Sequence, residues 1–207
     1  DLLEARGISG AILEDPDARL PVRSALDLWH ALIERSGDPA LQLSAPTALP
    51  YGAYRVIEFL VGASVTVGDG VERFARFFRL ISDAVVLSVE RCDGGRVLRL
   101  ETAAEKPVPP VYVDYVFAAL VGRVRKHIRP QLRLQGVDLR RPTPSDPTPY
   151  TSCFLAPVRF GAPQDALRFD EAEWAAPTVE PDAALARVLE EHARTLAAGM
   201  AEGDTGF

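Results

Sequence analysis

The stretch AVVLSVERCDGGRVLRLET, residues 84–102, holds two alternating apolar segments separated by a short turn. Apolar residues alternate over positions 85–89 before the turn and again over positions 97–101 after it. Two such segments around an Asp-Gly pair are the strongest short-range indication of a β-hairpin. The sequence therefore predicts an antiparallel hairpin that turns at residues 93–95.

Helical periodicity is found on both sides of this hairpin. Apolar residues recur every three or four positions, as they do on one face of a helix. The segments with this period are residues 22–33, 51–63, 66–81, 111–128 and 181–198. Gly37 is a typical helix stop, and Thr66 with Asp69 has the spacing of a capping box.

Short strands are predicted after the helix at 111–128. Leu132 and Leu134 alternate in one phase and residues 137–139 in the other, as a β-bulge at Gly136 would produce. A helical turn at 150–154 precedes two further strands, 158–160 and 166–169, on either side of a Gly-Ala-Pro corner. We expect a single α+β domain, with an antiparallel sheet of about four to five strands flanked by helices.

Composition narrows the classes of function. The chain has 207 residues, 47% hydrophobic and 25% charged, with a net charge of −6. This balance suits one globular domain and argues against a surface that binds nucleic acid throughout. With no signal peptide and no apolar run near the roughly 18 residues that cross a membrane, we expect a cytoplasmic protein without a membrane partner. Cys92 and Cys153 match no metal or disulfide spacing and are expected to be buried, unpaired thiols.

The sequence contains no recognisable catalytic motif. A nucleophile elbow, a zinc-protease helix, a phosphate-binding loop and a dinucleotide fingerprint are all missing. His30, His127 and His192 lie on three different predicted helices, and the carboxylate pairs Asp15/Asp17 and Glu171/Glu173 lie beside turns. We therefore expect no enzymatic activity, no cofactor and no metal site.

Basic residues are concentrated between positions 123 and 141, where Asp138 is the sole acid. They could form an anion-binding face or a solvated surface, and a solvated surface is the commoner case. The basic residues are Arg123, Arg125, Lys126, Arg129, Arg133, Arg140 and Arg141.

A small-ligand pocket is suggested by the segment YGAYRVIEFLVGAS, residues 51–64. It places Tyr51 and Tyr54 beside Arg55 and Glu58, which are neighbours on one helical face at i,i+3 spacing. Aromatic walls with a few polar groups are typical of ligand pockets. The alternative is boundary tyrosines and a surface ion pair.

The helix at 111–128 would supply the opposite wall of this pocket. Tyr112, Asp114 and Tyr115 lie there among apolar residues. If Arg55 and Glu58 face the pocket, the ligand is expected to be polar or charged; if they face solvent, they carry no information about it.

Four segments, taken in order, resemble a known family. They are ISGAILEDPDARLPV (8–22), SGDPAL (36–41), SVTVGDGVERFARFFRLISDAVVLSVE (64–90) and YTSCFLAPVRFGAPQDALRFD (150–170). Together they are similar to the N-terminal arabinose-binding-type domain of AraC/XylS-family transcription regulators, over about residues 1–195. In the last segment, Arg159 and Arg168 alternate with apolar neighbours, which favours strands of the fold over a ligand site.

The resemblance implies an effector-sensing domain at residues 1–180. Residues 181–207 would form a helix and the start of a linker to a DNA-binding domain of two helix-turn-helix units, through which alone DNA would be bound. Members of the family respond to different small molecules, so the effector is unknown. The alternative function is a ligand-independent module for dimerisation or protein contacts.

The final predicted helix is the expected coupling element because it leads toward that domain. Its apolar face could form a homodimer interface or pack on the domain itself. The residues of this face are Leu185, Val188, Leu189, His192 and Leu196.

Overall fold

The computed structural model of the chain describes residues 2–14, 18, 20–103 and 108–203. These residues form one α+β domain, as predicted, with eight α-helices and a five-stranded sheet. The helices are α1 (Val22–Ser36), α2 (Leu41–Ala48), α3 (Arg55–Gly62), α4 (Val67–Phe77), α5 (Pro110–His127), α6 (Thr148–Phe154), α7 (Glu171–Trp174) and α8 (Ala183–Gly203). The strands are β1 (Val85–Cys92), β2 (Gly95–Thr102), β3 (Gly136–Leu139), β4 (Val158–Phe160) and β5 (Asp165–Asp170).

The predicted hairpin begins the sheet. Strands β1 and β2 pair antiparallel from Val85 opposite Thr102 to Cys92 opposite Gly95. The order across the sheet is β1-β2-β5-β3-β4, with β4 parallel to β3 and every other pair antiparallel. The two strands beside the Gly-Ala-Pro corner are confirmed, and β3 lies between them.

Apolar side chains of α5 and of the sheet form the centre of the core. Phe117 and Val121 of α5 are fully buried, as are Leu98 of β2 and Leu167 of β5. These four belong to one continuous cluster that also includes side chains of α3 and α4. The core therefore fixes the positions of the three helices that surround the candidate site.

Helix ends follow local chemistry. Thr66 and Asp69 form the predicted capping box, each side chain accepting a hydrogen bond from the other residue's backbone N–H at 3.1 Å. Gly37 ends α1 in the left-handed conformation. Asp182 caps α8 by accepting from the N–H groups of Ala184 and Leu185, so that helix begins two residues after Pro181.

Two predicted boundaries are wrong. Helix α3 begins at Arg55 rather than at 51, because Gly52 and Arg55 have φ values of 90° and 55° that a continuous helix does not allow. Leu132 and Leu134 are buried but lie outside any strand, so there is no bulge at Gly136. The Leu132 carbonyl accepts from the Arg125 guanidinium instead of from a neighbouring strand.

Helices α2 and α7 were not predicted. Helix α2 is eight residues long and contains Pro46, and α7 has four residues, so neither shows a clear helical period.

The two cysteines are unpaired, but only Cys153 is partly buried and Cys92 is exposed. Burial raises the pKa of the Cys153 thiol to about 11. The expectation that both thiols are buried is therefore wrong for Cys92, which lies at the end of a strand beside the hairpin turn. Within the described part of the chain, no helix is both long and apolar enough to span a membrane.

Replacing Gly95 by alanine tests the close approach of β2 and β5. A Cβ at Gly95 would lie 1.9 Å from the Phe169 carbonyl oxygen, whereas a Cβ at Gly10 would meet nothing within 4 Å. We expect Gly95→Ala to lower the free energy of unfolding by about 2–3 kcal/mol through overpacking. Gly10→Ala should change it by less than about 0.5 kcal/mol. Urea denaturation followed by circular dichroism measures both, and equal effects would contradict the pairing.

Candidate functional site

Helices α3, α4 and α5 line a partly open cavity of about 230 Å³. Its walls are largely apolar, with contributions from all three helices and from the start of α1. The apolar lining residues are Leu20, Ala25, Ile57, Val61, Phe74, Phe78, Ile81, Val116, Ala119, Leu120, Val124 and Ile128. The polar lining residues are Tyr54, Glu58, Ser82, Tyr112, Tyr115 and Arg123.

Helix geometry explains why α5 contributes polar residues at intervals along the cavity. Tyr112, Tyr115, Ala119 and Arg123 are three or four positions apart and so share one helical face. On the opposing wall, Glu58 and Val61 are three positions apart on α3, and Tyr54 lies just before that helix. A cavity therefore lies between these two segments, with α4 as a third wall; whether it binds a ligand stays a prediction.

Two phenol groups meet across the cavity. The hydroxyl oxygens of Tyr54 and Tyr115 are 2.7 Å apart and hydrogen-bonded. The Tyr115 ring also packs against Trp29, with ring centroids 4.9 Å apart. Burial raises the pKa of both phenols, so both are neutral at physiological pH.

A second pair of hydroxyl groups lies elsewhere in the lining. Burial raises the pKa of Tyr112, and a hydrogen bond with Ser82 partly offsets that rise. Tyr112 is therefore also a neutral phenol, and its neighbour Ser82 can donate or accept a hydrogen bond.

The charged groups in the lining form a buried ion pair. Glu58 and Arg123 are 6% and 5% exposed. One carboxylate oxygen of Glu58 accepts from Nε and Nη2 of Arg123. The other oxygen accepts from the backbone N–H groups of Gly52 at 2.8 Å and Tyr54 at 3.4 Å. The carboxylate is thus fully occupied by protein donors.

Arg123 is equally occupied. Its Nη1 donates to the carbonyl oxygens of Pro46 at 2.9 Å and Leu49 at 3.1 Å, and Nη2 donates to that of Pro50 at 2.8 Å. Together with the bonds to Glu58, these contacts use all five guanidinium N–H donors. The pair therefore fastens the segment between α2 and α3 onto α5.

The seven residues predicted to bind a ligand do not all lie at one site. Tyr54, Glu58, Tyr112 and Tyr115 line the cavity. Tyr51 is half-exposed and packs on Phe59 and His127 outside it. The alternative of a surface ion pair between Arg55 and Glu58 is wrong, because Glu58 is buried and pairs with Arg123, while Arg55 is exposed.

Asp114, the seventh, belongs to a different polar cluster. It is fully buried, and its Oδ2 accepts from the Arg141 guanidinium, from Tyr150 Oη at 2.7 Å and from Gln42 Nε2 at 3.2 Å. Burial raises the pKa of this carboxyl, whereas the hydrogen bond from Tyr150 and the charge of Arg141 oppose that rise. The cluster joins α2, α5 and α6.

The basic residues between 123 and 141 do not form one face. Arg125 donates to the carbonyl oxygens of Cys153 and Phe154, and Lys126 donates to that of Thr47. Arg129 pairs with Glu173. Arg125 and Arg129 therefore hold loops and helix ends, whereas Arg133 and Arg140 are exposed, as the solvated interpretation expects.

The remaining residues considered for chemistry are dispersed. Glu171 pairs with Arg96, and His30 and His192 are exposed. The pair Asp15/Asp17 lies outside the described residues. Among the residues that the structure describes, no group of three or more histidine, cysteine or acidic side chains could hold a metal ion.

The residues of the predicted apolar face of α8 differ in their exposure. Leu189 packs on the core, whereas Leu185, Val188, His192 and Leu196 are exposed, Val188 by 63%. The helix is held to α4 by Glu190, which pairs with Arg73 at 3.2 Å and Arg76 at 2.8 Å.

Comparison with known proteins identifies the family. Residues 1–178 match the family model described as the arabinose-binding domain of AraC transcription regulator, N-terminal. The chain belongs to this family. Among curated protein sequences, none matches the chain.

The fold is also found in a solved structure of low sequence identity. It is the crystal structure of the transcriptional regulator CdpR from Pseudomonas aeruginosa, with a TM-score of 0.63 and 18% sequence identity. The match covers 91% of this chain and 58% of the other chain, so the family domain spans less than two thirds of that regulator.

Replacing Glu58 by alanine tests the buried pair. The change leaves the Arg123 charge buried without its partner, so we expect the free energy of unfolding to fall by about 3–5 kcal/mol. Glu171→Ala removes the partly exposed pair with Arg96 and should cost less than about 1 kcal/mol. Denaturation of both variants measures the difference, and a small loss for Glu58→Ala would show that Arg123 has another partner.

Proposed function

We propose that this domain senses a small-molecule effector, which binds in the cavity between α3, α4 and α5. The single observation that carries the proposal is that the cavity is largely apolar and yet lined by four hydroxyl groups and by an ion pair satisfied within the protein. Cavities with apolar walls and a few placed polar groups are the usual form of ligand sites. The family assignment supports a regulatory role.

A route from this cavity to α8 is provided by α4. Phe74 of α4 and Phe78, just after it, line the cavity, and Arg73 and Arg76 of the same helix bind Glu190 on α8. A ligand that changes the position of α4 would therefore also change the support of α8. Such a ligand shifts the equilibrium only to the extent that it binds one arrangement more tightly than the other.

The proposed target of α8 is a DNA-binding part of the regulator. In regulators of this family, that part would place recognition helices in the major groove, and DNA would be bound there rather than by this acidic domain. We place the whole regulator in the cytoplasm, with residues 1–180 as sensor and the helix that follows as the connection.

A second candidate function is self-association without a ligand. The observation that favours it is the exposed stripe of α8, where Leu185, Val188 and Leu196 are all accessible. Exposed apolar residues in a row mark interaction surfaces more often than isolated ones do. The two functions are compatible, since a homodimer could form through α8 while the cavity binds an effector.

Filling the cavity tests the effector site. Ala119→Leu should fill part of the volume between α3 and α5 and abolish thermal stabilisation by any compound that stabilises the unmodified chain in a metabolite screen. A compound at a hundredfold excess over its Kd stabilises by about 2.7 kcal/mol. Ala198→Leu, on the exposed side of α8, is the matched control and should keep the stabilisation. Compounds that stabilise the Ala119→Leu variant equally would place the effector elsewhere.

Changing Val188 tests the interface role of α8. In sedimentation velocity, Val188→Asp should shift the chain toward monomer, because it places a charge in the exposed stripe. Ala198→Asp, which adds the same charge on another side of the helix, should leave association unchanged. Leu189 is unsuitable for this test because it packs on the core, so a charge there would destabilise the fold. Identical sedimentation of both variants and the unmodified chain would argue against the interface.

A further inference from the structure

We infer that the effector is a neutral, mainly apolar molecule, of the class of simple phenols or aryl alcohols, and not a sugar or a carboxylate. This inference rests on the proposed function, because it describes the occupant of the same cavity. It follows from the size of the cavity, from the state of its charged groups and from the number of hydrogen bonds that its lining can still make.

Size sets the scale of the ligand. An engineered apolar cavity of about 150 Å³ accommodates benzene. The cavity here measures about 230 Å³, which by simple scaling admits about nine non-hydrogen atoms. A single aromatic ring with one or two small substituents fits this volume, and Phe74 and Phe78 supply aromatic surface against which it can pack.

The charged groups in the lining cannot bind a charged ligand. Glu58 and Arg123 are the charged residues among the described residues that line the cavity. Each is saturated, Arg123 through five N–H donors and Glu58 through both carboxylate oxygens. Among the described residues, a carboxylate in the apolar part of the cavity would meet no free counter-charge, unless it broke this pair and released the backbone segment that the pair holds. Burial of an unpaired charge is strongly unfavourable.

The hydroxyl groups retain a limited capacity for hydrogen bonding. The bond between Tyr54 and Tyr115 uses one of the two phenolic protons, so the pair can offer one donor and its oxygen lone pairs to a ligand. Ser82 and Tyr112 also line the cavity, and because Ser82 Oγ already accepts from the Ala84 N–H at 3.3 Å, its hydroxyl is left mainly as a donor. One or two ligand hydroxyl or carbonyl groups can therefore be satisfied.

A pentose does not match this capacity. It carries an oxygen on every carbon, and each buried hydroxyl without a partner costs about 1–3 kcal/mol. The surrounding walls are formed by Ile57, Val61, Leu120 and Val124, which offer no side-chain hydrogen bond. The word arabinose in the family description therefore does not identify the occupant of this cavity.

Isothermal titration calorimetry with three probes of similar size tests the inference. The probes are 4-ethylphenol, benzoate and L-arabinose. We expect 4-ethylphenol to bind with a Kd below about 1 mM, as a ligand of about nine atoms can. Benzoate and L-arabinose should show no binding at a tenfold higher concentration. Tighter binding of either one than of 4-ethylphenol, or no binding of 4-ethylphenol, would overturn the inferred class.

Variants locate the binding of the phenol. Tyr54→Phe and Tyr115→Phe each remove a hydroxyl and should weaken binding of 4-ethylphenol about two- to tenfold, the value of one hydrogen bond. Ala119→Leu should abolish binding, whereas Ala198→Leu should preserve it. Two tyrosine positions are used because either variant alone could disturb folding, and thermal melting of each identifies that case. Binding that survives Ala119→Leu would overturn the inference.

The two proposals fail in different ways. If L-arabinose or benzoate binds and Ala119→Leu abolishes that binding, the inferred ligand class is wrong and the effector site stands. If compounds found in the metabolite screen bind the Ala119→Leu variant unchanged, the proposed site itself is wrong.

Discussion

The buried pair between Glu58 and Arg123 is the interaction on which the site depends. It joins α3 to α5, and through Arg123 it also holds the carbonyl oxygens of Pro46, Leu49 and Pro50. A buried pair of charges is not in itself a source of stability, because desolvation offsets much of the attraction. In this domain the pair fixes the positions of α3, α5 and the segment before α3 relative to one another. Removing one partner would leave a charge inside the domain and free the segment that leads into α3.

The same pair gives the cavity its chemical character. Because both charges are satisfied within the protein, they line the cavity without offering a charge to a ligand. The hydroxyl groups of Tyr54, Tyr112, Tyr115 and Ser82 are then the polar groups available in the described lining, and burial keeps the three phenols neutral. The lining thus contains an acid and a base, yet its described residues present no unpaired charge to a ligand. A count of charged residues alone would not show this.

The sequence was informative where period and turn chemistry are strong. The hairpin around Asp93 and Gly94, the capping box at Thr66 and the long helix α5 were all predictable from residue spacing. Of the six polar residues that line the candidate site, four could be named from the sequence: Tyr54, Glu58, Tyr112 and Tyr115. The role of Arg123 was not, because its partners are 65 to 77 positions away along the chain, and a basic run gives no indication of which cation is buried. The left-handed backbone at Arg55 was equally hidden, and it removes that side chain from the predicted face.

The scaffold and the lining of the cavity overlap only in part, and this limits what a family name can convey. The family resemblance includes β4, the Gly-Ala-Pro corner and β5, whose side chains do not line the cavity, and also α4, which supplies Phe74 to the lining. Under the proposed function, ligand choice would depend on Ala119, Tyr115 and their neighbours on α3 and α4. Substitutions at those lining positions can change the occupant without altering the sheet, as long as Glu58 and Arg123 remain paired. A shared fold at 18% identity is therefore compatible with a different effector, and the groups that face the cavity are the better guide to what this domain binds.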